Sequence, residues 1–98
     1  MTITKSLNDT SLTVAVEGRL DTVTAPDLER ELQADLANVT DLTLDFANLE
    51  YISSAGLRVL LSAHKAMAGK GGMKVIHVNE VVQEVFEVTG FSDILTIE

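Results

Sequence analysis

Ninety-eight residues, 46% hydrophobic and only 4% aromatic with no Trp, suit one domain with an aliphatic core and leave little aromatic surface for stacking bases or sugars. Fifteen acids against seven Lys or Arg give a net charge of −8, which argues against direct binding of DNA or RNA and favours basic protein partners. The absence of Cys excludes disulfides, thiolate metal sites and cysteine nucleophiles, and the short apolar runs and the N-terminus Met1-Thr2-Ile3-Thr4-Lys5 lead to the expectation of a soluble cytoplasmic protein with no signal peptide and no membrane insertion.

Ile3 to Leu7 reads as a first strand, and Asn8-Asp9-Thr10 as a turn, because Asn and Asp tolerate left-handed backbone. Leu12, Val14 and Val16 alternate with Thr13, Ala15 and Glu17, so a second strand should pair antiparallel with the first. Thr24-Ala25-Pro26-Asp27 opens a helix: Thr24 can cap, Pro26 fits the first turn and Asp27 can complete a capping box. Leu28, Leu32 and Leu36 form its apolar stripe. Leu42, Leu44 and Phe46 alternate on the next strand, and a helix follows from about Ser54 to Ala68, stopped at Gly69. Met73 to Val78 is another strand. Asn79 caps a third helix with Val81, Val82, Val85, Phe86 and Val88 buried, Glu80, Glu84 and Glu87 on a solvated side, and Gly90 ending it. Ile94 to Ile97 closes the chain as a strand.

The expected order is β-β-α-β-α-β-α-β, an α/β domain over residues 1–98 with a mixed, mostly parallel sheet. Right-handed crossovers between neighbouring strands place the helices mainly on one face. Thr at alternate strand positions fits an opposite face that is only partly covered. Gly18-Arg19-Leu20-Asp21 and Ile52-Ser53-Ser54 both fall at the carboxyl ends of strands, where α/β sheets tend to place their sites.

The segment Tyr51-Ile52-Ser53-Ser54-Ala55-Gly56-Leu57 lies between a strand and a helix. Ser54 is therefore at or just before a helix N-terminus, where free backbone N–H groups favour negative charge. Its hydroxyl is either an N-cap, worth ~1 kcal/mol, or a phosphoacceptor that would gain about −1.5 to −2 charges. Ser53 is a small residue suited to a tight turn or a second acceptor. Asp21 is either an Asx-turn residue or a partner contact. Gly18 serves backbone conformation, and Gly56 permits close approach by the sheet or a partner.

Catalytic chemistry finds little support. His64 lies ten residues beyond Ser54 on the same helix, or ~15 Å away at 1.5 Å per residue, too far for a nucleophile–base pair. His77, alternating with Met73 and Val75, reads as a packing or surface residue, and the two His form no metal-spaced cluster. Gly69-Lys70-Gly71-Gly72 lacks the upstream Gly and the following Ser or Thr of a phosphate-binding P-loop. No enzyme activity, cofactor or metal is expected.

Nearly the whole chain resembles a STAS domain, the fold of bacterial anti-sigma factor antagonists. Gly18-Arg19-Leu20-Asp21 is similar to the family's Gly-x-Leu-Asp, and Tyr51 to Leu57 to its Asp-Ser-Ser/Thr-Gly-Leu. Lys70-Gly71-Gly72, Val85-Phe86 and Thr89-Gly90-Phe91 add to the likeness. The resemblance implies that Ser54 is phosphorylated by an anti-sigma factor with serine kinase activity, that the unphosphorylated form binds this partner and frees a sigma factor, and that a serine phosphatase reverses the switch. It implies a contact with the kinase at Asp21. The expected partner surface comprises Asp21, Ser53, Ser54, Gly56 and Arg58. Two positions depart from the family: Ser53 stands where many members have Asp, and Ala55 where they have Ser or Thr. STAS domains also serve as accessory subunits of lipid ABC transporters, docked on the ATPase; in that alternative Ser54 only caps its helix.

Overall fold

The computed structural model describes all residues, Met1–Glu98. β1 (Thr2–Asn8) and β2 (Ser11–Leu20) form an antiparallel hairpin, turned at Asp9 in the left-handed region (φ 56°). The chain continues through α1 (Ala25–Asp35), a 3-10 turn at Leu36–Asn38, β3 (Asp41–Asp45), β4 (Leu49–Ile52), α2 (Ser54–Met67), β5 (Met73–Ile76), α3 (Glu80–Thr89), a second 3-10 turn at Phe91–Asp93, and β6 (Thr96–Ile97). The sheet order is β1-β2-β3-β5-β6, with β4 paired to the far end of β2. All pairings except β1 with β2 are parallel.

The strand register explains the core. Leu12, Leu42 and Met73 stand side by side, as do Val14, Leu44 and Val75, and every one is buried. Their alternates Thr13, Ala15, Thr43, Asp45, Lys74 and Ile76 point to the other face, and none is buried. One face therefore carries the sheet's contribution to a single cluster of 23 buried residues, to which α1, α2 and α3 supply Leu28, Leu32, Leu57, Leu60, Met67, Val82 and Phe86. This is the expected one-sided α/β arrangement. At the edge, Lys5 is in register with Val14 and so faces the helices; its ammonium meets Glu31 at 2.7 Å and Asp35 at 2.9 Å on α1.

Four details differ from the sequence expectation. β4 is an additional strand, too short to show an alternating pattern. It pairs with β2 beyond a bulge between Gly18 and Arg19, where Gly18 adopts φ +95° and its N–H reaches the Asn48 carbonyl at 3.0 Å. α1 opens without a Thr24 side-chain cap, and Asp27 pairs with Arg30 instead of closing a capping box. On α3, Val82 and Phe86 are buried, whereas Val81 is 54% and Val88 80% exposed. Successive helical residues diverge by about 100°, so Val81 and Val82 cannot share one narrow buried stripe. Finally, the last two strands are shorter than expected: β5 ends at Ile76, where His77 turns the chain at φ +59°, and β6 covers only Thr96–Ile97 rather than Ile94 to Ile97, because Ile94 still caps the preceding 3-10 turn.

Candidate functional site

The carboxyl ends of β2 and β4 meet at one edge of the molecule. Arg19 is in register with Tyr51 and Leu20 with Ile52, and the Ser53 N–H donates to the Leu20 carbonyl at 2.9 Å. Asp21 and Ser53 thus leave the sheet as adjacent strand ends. The two sequence motifs form one surface, as expected from their placement.

Ser53, not Ser54, is the N-cap of α2. Its backbone is extended (φ −98°, ψ 176°), and its Oγ accepts from the Gly56 N–H at 3.4 Å. Ser54 is the first residue of the helix and exposed, and its hydroxyl has no hydrogen-bond partner within the protein. Arg58, one turn further along, is also exposed and makes no ion pair. Gly56 is buried and lies outside the accessible surface. A Cβ there would sit 2.8 Å from both Ile52 Cγ1 and Leu20 Cγ, so the residue is small because the helix presses on the sheet. Of the five expected contact residues, four reach solvent and Gly56 seats the helix beneath them.

Asp21 turns its carboxylate inward upon its own loop. Oδ1 accepts from the Val23 N–H at 3.0 Å and the Thr24 N–H at 3.1 Å, an Asx turn. Thr24 Oγ1 accepts from the Asp21 N–H at 2.8 Å and donates to the Arg19 carbonyl at 2.8 Å. The hydrogen bond from the Thr24 backbone, with help from Val23, the Thr24 hydroxyl and Arg19, holds the Asp21 carboxyl below the usual carboxylate range despite some desolvation. Arg19 Nε lies 4.0 Å from the other oxygen, and its guanidinium stacks 4.5 Å above the Tyr51 ring.

Beside this surface, at the ends of β3 and β5, His77 Nδ1 lies 2.9 Å from Asp45 Oδ1, which also accepts from the Ala47 N–H at 3.0 Å. The His77 bond is the main cause that lowers the Asp45 carboxyl from its ordinary value. His64 sits far along α2, with Nδ1 buried and unpaired. No three His, Asp or Glu side chains converge as a metal-ligand set, and no helix is long and apolar enough to cross a membrane.

Sequence reasoning missed the Arg19–Tyr51 stack, whose two members lie within the quoted motifs but meet only through the β2–β4 register, which no local pattern announces.

The family described as "Mlab, STAS domain" matches residues 3–96. The chain belongs to the STAS domain family. Among its relatives, BtrV of Bordetella bronchiseptica, whose designation as an anti-sigma factor antagonist is provisional, is 34% identical over 99% of this chain and 85% of its own. The anti-sigma-B factor antagonist of Bacillus subtilis is 29% identical over 92% of this chain and 84% of its own. The crystal structure of an anti-sigma factor antagonist from Mycobacterium paratuberculosis superposes with a TM-score of 0.89 at 26% identity, over 98% of this STAS domain and 83% of that chain. SpoIIAA in its unphosphorylated form shares the fold at a TM-score of 0.85 and 15% identity, over 99% of this chain and 88% of that one.

Proposed function

We propose that this STAS domain is an anti-sigma factor antagonist, a binding protein rather than an enzyme. It acts in the cytoplasm, binding an anti-sigma factor with serine kinase activity through the surface around Asp21, Ser53, Ser54 and Arg58. Phosphorylation of Ser54 ends the complex, and a serine phosphatase restores it. The relatives named as antagonists support the partner class.

The observation that carries the switch is the division of labour between the two serines. Because Ser53 supplies the cap, the exposed Ser54 hydroxyl is free of structural duty. A phosphate there adds about −1.5 to −2 charges. The positive end of α2 tolerates that charge, so the domain stays folded. A partner surface fitted to a neutral hydroxyl does not tolerate it. Modification then breaks the complex while leaving the fold intact.

The test is a pull-down from the native cell with wild-type protein and Ser54→Asp side by side, with mass spectrometry of the captured proteins and of Ser53 and Ser54. The expected result is a kinase-like anti-sigma factor held by the wild type and lost by Ser54→Asp, with phosphate on Ser54. A transporter ATPase held equally by both forms, with Ser54 unmodified, would replace the proposal with the accessory-subunit alternative.

A further inference from the structure

β1 is a free edge of the sheet: it pairs with β2 and with nothing else. The opposite edge strand, β6, is two residues long, and shortness is one way in which proteins blunt an edge. β1 lacks such protection. It runs for seven residues without proline, and no bulge interrupts its register with β2. Its one charged residue, Lys5, is the kind that keeps edges apart, but it is turned onto α1, where Glu31 and Asp35 hold its ammonium at 2.7 and 2.9 Å. None of the chain's fifteen acids lies in residues 1–8, so this strip of an acidic protein can meet an equally acidic molecule without carboxylates opposing each other along the strand.

The hairpin fixes which backbone groups are free. Its two-residue loop, Asp9-Thr10, is closed by Asn8 and Ser11, and a pair closing so short a loop is one that exchanges hydrogen bonds. Alternation then commits Thr2, Thr4, Ser6 and Asn8 to β2. The N–H and C=O groups of Ile3, Lys5 and Leu7 point to the open edge. The strand also reads the same in both directions. Thr2-Ile3-Thr4-Lys5-Ser6-Leu7-Asn8 is polar, aliphatic, hydroxyl, lysine, hydroxyl, aliphatic, polar, a palindrome of character centred on Lys5. A two-fold contact requires such self-complementarity, because each copy presents the same patch to the other. We infer that β1 is the edge through which two copies of this chain pair, antiparallel about Lys5, into one continuous sheet.

In that register Ile3 lies opposite Leu7 of the second copy, Lys5 opposite Lys5, and Leu7 opposite Ile3. These are the residues with free backbone groups, so each of the three pairs exchanges two hydrogen bonds. All three side chains face the helices, which therefore lie on the same side of the joined sheet. Leu7, 62% exposed in the single chain, gains an aliphatic neighbour twice over, once from each end of the two-fold. The hydroxyls of Thr4 and Ser6 meet on the uncovered face. The two lysines at the axis each arrive already paired with two acids of their own α1, which offsets their mutual repulsion. This surface is separate from the one proposed to bind the anti-sigma factor, and the inference does not depend on that proposal.

Sedimentation velocity of the full chain from about 1 μM to about 1 mM covers the affinities of a small interface, at about 0.15 M salt to screen the repulsion between two acidic copies. The expected result is a reversible shift from the 10.6 kDa monomer to twice that mass. A monomer at every concentration overturns the inference. Leu7→Glu removes both Ile3–Leu7 contacts and should weaken the dimer at least about tenfold, with the circular dichroism of the wild type because Leu7 is exposed. Leu7→Glu dimerising like the wild type also overturns it. The register is read by engineered cysteines, since the chain has none of its own. Thr4 and Ser6 of the second copy form a non-hydrogen-bonded pair with Cα atoms about 4.5 Å apart, within disulfide reach, whereas two copies of position 4, or of position 6, lie about 7–8 Å apart on the diagonal, beyond it. Oxidation of a mixture of Thr4→Cys and Ser6→Cys should therefore yield disulfide dimers joining position 4 to position 6, and neither variant alone should yield them. No such dimer from the mixture, or equal yields from each variant alone, overturns the pairing about Lys5.

Discussion

Ser53 and Ser54 are chemically identical neighbours with different duties, and stability measurements should tell them apart. Ser53→Ala removes the α2 cap and should cost about 1 kcal/mol in urea unfolding, near the middle of the range for such caps. Ser54→Ala, at an exposed position with no bond to lose, should stay within about 0.5 kcal/mol of wild type. Sequence placed a cap here but could not assign it, because both serines are good caps. What decides is that β4 runs to Ile52 and the Ser53 N–H still bonds Leu20, which keeps Ser53 extended. The carboxylates of Asp21 and Asp45 contribute to the acid behaviour. Both are held below the ordinary value in the folded protein, by the Thr24 N–H and by His77 respectively. Their stabilisation is therefore fully present above the unfolded carboxylate value of about 3.9 and is lost as pH falls through the lower folded values. Asp45→Asn should flatten the decline in urea midpoint between wild-type measurements at pH 5 and pH 3, a window set on those values.

The secondary elements show where pattern suffices and where it fails. β2, β3, α1 and α2 were legible because alternation and helical spacing run long enough to repeat. β4 was not: four residues with both ends buried carry no period, and the strand exists because the bulge after Gly18 frees the end of β2 to take a second partner. α3 was legible as an element, through the Asn79 cap and Gly90 stop, but its Val-rich composition hid which residues face inward. The seat of α2 on the sheet depends on Gly56. Gly56→Ala forces a methyl group between Leu20 and Ile52, and such overpacking should cost about 1–3 kcal/mol. Because the displaced helix carries Ser54 and Arg58, partner affinity should fall with it, whereas Ser53→Ala should lower stability and leave affinity close to wild type.

For the molecule as a whole, the sheet divides the chain into a side that folds it and a side that does not. Leu44→Ala opens a hole among fully buried neighbours and should cost about 2–5 kcal/mol. Thr43→Ala, one residue away on the uncovered face, should change stability by less than about 1 kcal/mol, the span of strand propensities. Urea titrations of the two variants against wild type check this contrast. The connectivity was readable from the order of the elements, and the one-sided layering from right-handed crossovers between neighbouring strands, which Thr at alternate positions fits. The functional edge was readable only as two motifs, since the contacts that make it one surface join residues some thirty positions apart, as Arg19 joins Tyr51. That stack has an optical consequence. The protein holds one tyrosine and no tryptophan, so its ultraviolet emission arises essentially from a ring lying under a guanidinium at the edge where docking is expected. The molecule therefore carries a built-in, single-site reporter: a partner that draws Arg19 away changes the environment of its one tyrosine, and complex formation becomes visible in unlabelled protein once the partner's own emission is subtracted.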